Sequence, residues 1–377
     1  MRLSCLQENL SRGLSIVGRA VATRTTLPIT QNVLLSTDES LLKLSATNLD
    51  IAISTWIGAQ IEEEGAATVP ARLLTDFVNA LPEERIDLNS ASQPLAIDLR
   101  CARFEGQING ADPEEFPPIP SVDSGVLNKL DPKILNDAIK HVAFAAATEE
   151  SRPVLTGVKV EISEDNFTLA AADGFRLAVY KGKLADQSSE DLNFIMPSKA
   201  LMEVGRLIGA QEDPVEFTVT TSKNQVLFRL DNIEIVSQLI QGTFPNYSQL
   251  IPASYETRAV VDLEQFLRAT RTASIFARDG SGIVRIQVQG SEDDSPSTLT
   301  ILSRAEEVGE NEGKIDAQVE GSEAKIAFNS RYLSDVLSIL EVSEVALETT
   351  TPSSPGVLKP IGNDNYVHVV MPMFVQW

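Results

Sequence analysis

The sequence predicts an α+β protein built from three repeated two-layer domains, each carrying two helices on one face of an antiparallel sheet. Three observations predict it. First, a helical segment recurs: Val69-Pro-Ala-Arg72 opens a run to Leu81, Met196-Pro-Ser-Lys199 a run to Ile208, and Phe328-Asn-Ser-Arg331 a run to Leu340. Each begins apolar, Pro or Asn, small, basic, and continues with apolar positions at helical spacing. The basic residues Arg72, Lys199 and Arg331 stand 127 and 132 residues apart, the length of a small domain. Second, a connector returns, with Phe244-Pro245 standing 128 residues after Phe116-Pro117. Third, strand-like runs bounded by turn residues surround each copy of the helix.

Composition narrows the class. The chain has 377 residues, 43% of them hydrophobic, enough for two or three domains with real cores. Its 31 basic and 53 acidic residues give a net charge of -22, which argues against a grip on nucleic acid by bulk charge. Any DNA contact must be local or weak. Cys5 and Cys101 read as reduced, buried thiols in a cytoplasmic protein. No apolar run approaches the roughly 18 residues of a membrane span, and Met-Arg-Leu-Ser-Cys5 leads directly into polar residues. Neither membrane nor export is expected.

In the first repeat, Leu10, Leu14, Val17 and Val21 mark an amphipathic helix over about 7–21, with Arg12, Arg19 and the following Arg24 clustered nearby. Strands are expected at 32–36, 41–46 and 51–57. After the acidic link Glu62-Glu-Glu-Gly65 come the first repeated helix and strands at 85–88, 95–99 and 102–108. Glu115-Phe-Pro-Pro-Ile-Pro120 closes the unit, because proline continues neither a helix nor a central strand.

The second repeat opens on Asp131-Pro132, an N-cap followed by a first helical residue, and its helix reaches about Ala145. Strands follow at 157–162, 167–172 and 176–180, the last two joined through the turn signal Asp173-Gly174. Beyond the second repeated helix lie strands at 215–220, 225–230 and 233–239. The third repeat begins with a strand at 257–262 and a helix over 263–274, then strands at 282–289 and 299–303. Glu306 to Gly313 reads as an acidic surface loop. Strands at 345–349, 357–361 and 366–371 finish the fold, and Met371-Pro-Met-Phe-Val-Gln-Trp377 is an apolar tail. Arg12, Arg19, Arg72, Lys133, Lys140, Lys199, Arg206, Arg268, Arg271 and Arg331 sit on the helices, although Glu8, Asp76, Glu203, Glu264 and Asp335 share them. Together they would give a weakly positive face to a negative molecule.

Five landmarks in order make the chain resemble the beta subunit of bacterial DNA polymerase III, the sliding clamp. They are Thr26-Leu-Pro-Ile29, Val69-Pro-Ala-Arg72, Ala171-Ala-Asp-Gly-Phe-Arg-Leu-Ala178, Gly242-Thr-Phe-Pro-Asn-Tyr247 and Val369-Val-Met-Pro-Met373. The resemblance runs the whole chain, with domains expected at 1–124, 125–253 and 254–377. It implies a DNA clamp fold: a head-to-tail homodimeric ring threaded by double-stranded DNA, acting without catalysis as the processivity factor of DNA replication. A tether of this kind works by effective concentration, and topological linkage needs no tight phosphate grip.

The resemblance carries residues with it. DNA contacts fall on Arg24, Lys199 and the loop near Arg152, and the repeated helix adds Arg72 and Arg331. The loop after Arg152 departs from the family pattern with Pro153-Val154, and Asp279-Gly-Ser-Gly282 lacks a basic or aromatic tip. The implied pocket for linear motifs of the polymerase III alpha subunit, clamp-loader subunits, other polymerases and mismatch-repair proteins maps to Leu155, Ala172, Gly174, Phe175, Arg176, Leu177, Pro245, Leu250, Val369, Val370, Met371, Pro372 and Met373. Leu155, Leu177 and Val370 read equally well as plain core. Phe374 to Trp377 depart from the family's short basic ending. The implied dimer contact sets Phe104 and Ile108 against Ile275 and Phe276.

An enzyme is the contrary expectation. Two separated histidines, His141 and His368, no Cys pair at zinc-ligand spacing, no phosphate-cradling glycine loop and no nucleophile elbow leave it without machinery. No cofactor or metal is expected. A peptide-binding scaffold that does not encircle DNA is the other alternative.

Overall fold

A computed structural model describes residues 1–92, 95–119, 125–220, 222, 224–278, 282–290, 296–305 and 309–377. The first repeat holds β1 (Arg2–Leu6), α1 (Gln7–Val17), β2 (Asn32–Asp38), β3 (Leu41–Thr47), β4 (Ile51–Glu63), β5 (Ala66–Pro70), α2 (Ala71–Ala80), β6 (Arg85–Ser92), β7 (Leu95–Cys101) and β8 (Phe104–Asn109). The second holds β9 (Leu127–Leu130), α3 (Pro132–Val142), β10 (Gly157–Ser163), β11 (Asn166–Ala172), β12 (Arg176–Lys183), β13 (Leu192–Pro197), α4 (Ser198–Ile208), β14 (Val215–Val219), β15 (Gln225–Leu230) and β16 (Ile233–Gln238). The third holds β17 (Thr257–Asp262), α5 (Leu263–Arg278), β18 (Ile283–Gln289), β19 (Thr298–Ala305), β20 (Gly309–Gly321), β21 (Ala324–Asn329), α6 (Ser330–Ile339), β22 (Glu344–Thr349), β23 (Gly356–Pro360) and β24 (Tyr366–Val370).

Local chemistry explains the helix starts. Asp131, Asp262 and Asn329 each accept a backbone N–H of the first turn, from Lys133 at 2.9 Å, Gln265 at 2.8 Å and Arg331 at 2.9 Å. One face of each helix is buried. Leu10, Leu14 and Val17 on α1, Leu135, Ala138 and Val142 on α3, and Phe266 and Ala273 on α5 are all closed to solvent.

The described residues form two twelve-stranded, entirely antiparallel sheets. They belong to two compact units, one of residues Met1–Lys133, Leu184–Glu190 and Lys199–Ile240, the other of Ile134–Lys183, Asp191–Ser198 and Gln241–Trp377. The division cuts the central repeat for a visible reason. Its strands β14 to β16 continue the first sheet through the β4–β16 pair, and its strands β10 to β13 continue the second through β12–β24. In the first unit α1 packs on α2, and in the second α5 packs on α6.

Several expectations change. The first helix stops at Val17 and tightens into a 3-10 turn over Gly18–Ala20, whereas α5 extends past Ser274 to Arg278. Glu62 and Glu63 are not a link but the end of the long strand β4. The acidic segment taken for a loop is strand from Gly309 onward, paired with β19, and its residues 306–308 lie outside the described residues. Residues 279–281 of the Asp279–Gly282 loop also lie outside them. No helix among the described residues is long and apolar enough to cross a membrane.

Candidate functional site

The second unit contains a cleft of about 540 Å³ lined by Leu155, Arg152, Asp173, Gly174, Phe175, Arg176, Arg331, Tyr332 and residues of the 146–151 segment. A tight turn builds one wall. The Asp173 carboxylate accepts the backbone N–H groups of Phe175 at 2.8 Å and Arg176 at 3.0 Å, and Gly174 sits at φ 96°, a conformation suited to glycine. This turn presents Phe175 outward, 57% exposed and stacked on Tyr332 at 6.1 Å.

Arg176 organises the cleft from below. Its Nε donates to Asp173 at 3.0 Å, Nη1 to Asp335 at 2.7 Å and Nη2 to the Phe144 carbonyl at 3.1 Å. The guanidinium also lies over the rings of Tyr332 at 4.7 Å and Phe144 at 5.2 Å. Phe144 in turn stacks on His368 at 5.6 Å, whose Nδ1 is 3.0 Å from the Tyr366 hydroxyl. His368 is wholly buried with no partner for Nε2. Burial, with the Arg176 charge adding to it, pushes its pKa down to about 3, so it is a neutral core residue. His141 belongs to the same interior: its Nδ1 reaches the Asp137 carboxylate at 3.0 Å, and that hydrogen bond leads in holding the carboxyl below the usual range.

The sequence-derived pocket residues divide into four groups. Leu155, Gly174, Phe175 and Arg176 line the cleft. Ala172, Leu177, Val369 and Val370 are buried and support it as core. Met371 to Met373 run beside it, tied by Met371 N–H to the Phe175 carbonyl and Met373 N–H to the Ala327 carbonyl, both at 2.8 Å. Met371 is exposed. Pro245 and Leu250 are exposed outside the lining. Phe374 is 86% exposed, and Lys325 lies over the Trp377 ring at 5.9 Å.

Of the five expected DNA contacts, Arg152 and Arg331 line this cleft. Arg24, Arg72 and Lys199 are exposed in the first unit. The helix-borne bases there are partly neutralised: Glu203 pairs with Arg19 at 3.1 Å and with Arg206, and Arg72 lies 3.9 Å from Asp76. At the expected seam Phe104 and Ile275 are exposed and Phe276 is half-buried, whereas Ile108 is 4% exposed and belongs to its own core. Sequence reasoning missed Tyr332 and Asp335. Tyr332 had a signal, an aromatic side chain where the other copies of the helix carry Leu73 and Ala200. Among the described residues no group of three or more His, Cys, Asp or Glu side chains could hold a metal ion.

The comparisons with known proteins agree over the full chain. The DNA polymerase III beta subunit family matches in three consecutive parts, its N-terminal domain over residues 1–120, its central domain over 129–246 and its C-terminal domain over 248–374. The beta sliding clamp of Synechococcus elongatus is 31% identical over 376 residues, covering 99% of both chains, and that of Staphylococcus aureus is 32% identical, covering 94% of both. The crystal structure of the DNA polymerase sliding clamp from Bacillus subtilis superposes with a TM-score of 0.94 at 27% identity, covering all of both chains. The Pseudomonas aeruginosa sliding clamp bound to griselimycin gives 0.91 at 26%, again covering both chains completely. The chain belongs to the DNA polymerase III beta subunit family, the beta sliding clamps that serve DNA replication as processivity factors.

Proposed function

We propose that two copies of this chain close into a ring around duplex DNA, slide on it without catalysis in the cytoplasm, and hold replication and repair proteins by linear motifs docked in the Arg176 cleft. The observation that carries this reading is the way repeats join. Twice within the chain the last strand of one repeat adds antiparallel to an edge of the preceding repeat, as β16 to β4 and β24 to β12. Among the described residues β8 pairs only with β7, and β20 between Gly309 and Asp316 pairs only with β19. A second copy could satisfy these edges in the same manner, and an unpaired edge invites pairing. Repeats bounded at 1–124, 125–253 and 254–377 fit this use, and six of them make one ring.

Arg24, Arg72 and Lys199 supply a weak, sequence-independent contact with phosphates, as sliding requires. The place of Arg152 and Arg331 beside Phe175 favours carboxylates of a partner peptide for them. Apolar side chains of the motif find Leu155, Phe175, Tyr332 and Met371, and the adaptable thioether suits a site with several partners. The polymerase III alpha subunit and clamp-loader subunits are the expected first users. The test is retention on nicked circular DNA after treatment with a clamp loader, followed by linearisation. A ring is lost from the linear form. Equal retention on both forms would leave a peptide scaffold that does not encircle DNA.

A further inference from the structure

The two joints inside the chain fix the register of the one it lacks. In the first unit Ile51 of β4 lies opposite Ser237 of β16, and Thr55 opposite Ile233. In the second, Arg176 of β12 lies opposite Val370 of β24, and Tyr180 opposite Tyr366. The corresponding residues at the free edges follow from pairings already formed. Cys5 pairs with Ala59 just before α1, and Val261 with Ala317 just before α5, so Ile51 corresponds to Gly309 and Thr55 to Gly313. The hairpins Cys101–Phe104 and Leu230–Ile233 likewise match Phe104 to Ile233.

Transferring the register sets Phe104 of one copy opposite Gly313 of another, and Ile108 opposite Gly309. The faces agree. A Cβ on Gly106 would meet Phe77 of α2 at 2.6 Å, and one on Gly313 would meet Ala269 of α5 at 3.4 Å, so both glycines face the helices. Glu105 and Gln107 then share the opposite face with Glu310 and Glu312, and all four are exposed. Phe104 gains a receptor in this register. Its counterpart Tyr366 packs on His141 at 4.8 Å, opposite Tyr180. At the free edge the matching positions are Thr272 and Gly313, and they border a groove of about 290 Å³ between α5 and β20.

We propose that a second copy of this chain docks β8 against β20 in this register, which brings Glu105 opposite the second copy's Glu312 and makes this joint looser than the two within the chain. The proposal rests on the ring reading. The equivalent pairs inside the chain are Ser54 with Glu234 and Val179 with Val367, neither of them a like-charge pair. Like charges directly opposite on neighbouring strands oppose pairing. Arg100 lies 3.5 Å from Glu105, so a cation on the neighbouring strand β7 moderates the repulsion. The joint therefore combines an aromatic anchor with an electrostatic loosening, as suits a ring that must open to admit DNA.

Two measurements on the full chain test this. Oxidation of the Gln107→Cys, Glu310→Cys double variant is expected to yield a covalently linked dimer, and the offset pair Asn109→Cys with Glu310→Cys is expected to yield none; crosslinking of the offset pair instead overturns the register. In sedimentation equilibrium at low salt, Glu312→Gln is expected to lower the dimer dissociation constant by about threefold, with the gain shrinking at about 0.5 M salt. Asp316→Asn, on the same strand beyond the seam, is expected to leave it unchanged. A Glu312→Gln dimer no tighter than the parent overturns the loosening. A parent protein that stays monomeric at micromolar concentration overturns the ring itself, whereas a dimer with the wrong crosslinks overturns this inference alone.

Discussion

Arg176 donates from Nη1 to the Asp335 carboxylate at 2.7 Å, tying the turn before β12 to the helix α6, 159 residues further along the chain. Its side chain is 9% exposed and that of Asp335 35%. The pair therefore joins a desolvated cation to a partly wet anion, with Asp173 as a second partner at 3.0 Å.

The first prediction concerns this arginine. Arg176→Met removes the charge between two aromatic rings and strands two carboxylates, and breaking a buried pair from one side costs on the order of 3 kcal/mol. Urea unfolding should show that loss. Binding of a fluorescent clamp-motif peptide should fall at least about tenfold, because Phe175 and Tyr332 lose the residue that orients them. Asp335→Asn keeps a hydrogen-bond acceptor and should cost only about 1 kcal/mol. Peptide affinity unchanged in Arg176→Met would move the docking site elsewhere.

A second prediction follows from His368. Its folded pKa of about 3 lies below the ordinary 6.5, so below pH 6.5 the unfolded chain takes up a proton that the folded chain refuses. The stabilising contribution is complete above pH 6.5 and is lost as pH falls towards 3. The expected slope is at most about 1.4 kcal/mol per pH unit for one group. His368→Gln cannot titrate, so its unfolding free energy should fall less steeply with acid than that of the parent. Parallel curves for the two proteins would show that His368 does not drive the loss.

Close packing supplies a third. Gly356 pairs with Val370 beside the cleft, and a Cβ there would come within 2.3 Å of the Phe328 ring, which is itself fully buried. Neither the strand nor the ring has room to yield, so Gly356→Ala should destabilise by about 1–3 kcal/mol through overpacking. Thermal unfolding followed by circular dichroism checks this. A Tm equal to that of the parent would mean that Phe328 can swing aside.

The elements that could be read in the sequence are those with their own punctuation. All six helices were legible from amphipathic spacing, and the Asp131-Pro132 cap announced one of them. The strands β1, β5, β9, β13 and β21 were not read, and they share a cause. Each runs into its helix within one residue, as at Leu6 and Gln7 or Pro197 and Ser198, so no turn cluster separates the two periodicities. At the site the Asp173-Gly174 turn was legible because its chemistry is local. Asp335 was not, because a contact spanning 159 residues leaves no mark on either neighbourhood.

The last prediction weighs the charge of the whole chain against its local cations. A net charge of -22 repels DNA, so contact depends on bases that keep their charge free of acidic neighbours. Arg19 and Arg206 share Glu203, which discounts them. Arg72 lies 3.9 Å from Asp76 with both side chains largely in water, and so exposed a pair holds its arginine only weakly. Arg24 and Lys199 are exposed and belong to the same unit as Arg72. If each neutralises one phosphate, Arg24→Ala and Lys199→Ala should each reduce the slope of log affinity against log salt by about 0.9 for a duplex oligonucleotide. The loss should be independent of sequence, and the dimer mass should not change. Unaltered slopes in the double variant, with DNA still retained on circles, would mean that topology alone keeps this clamp on its template.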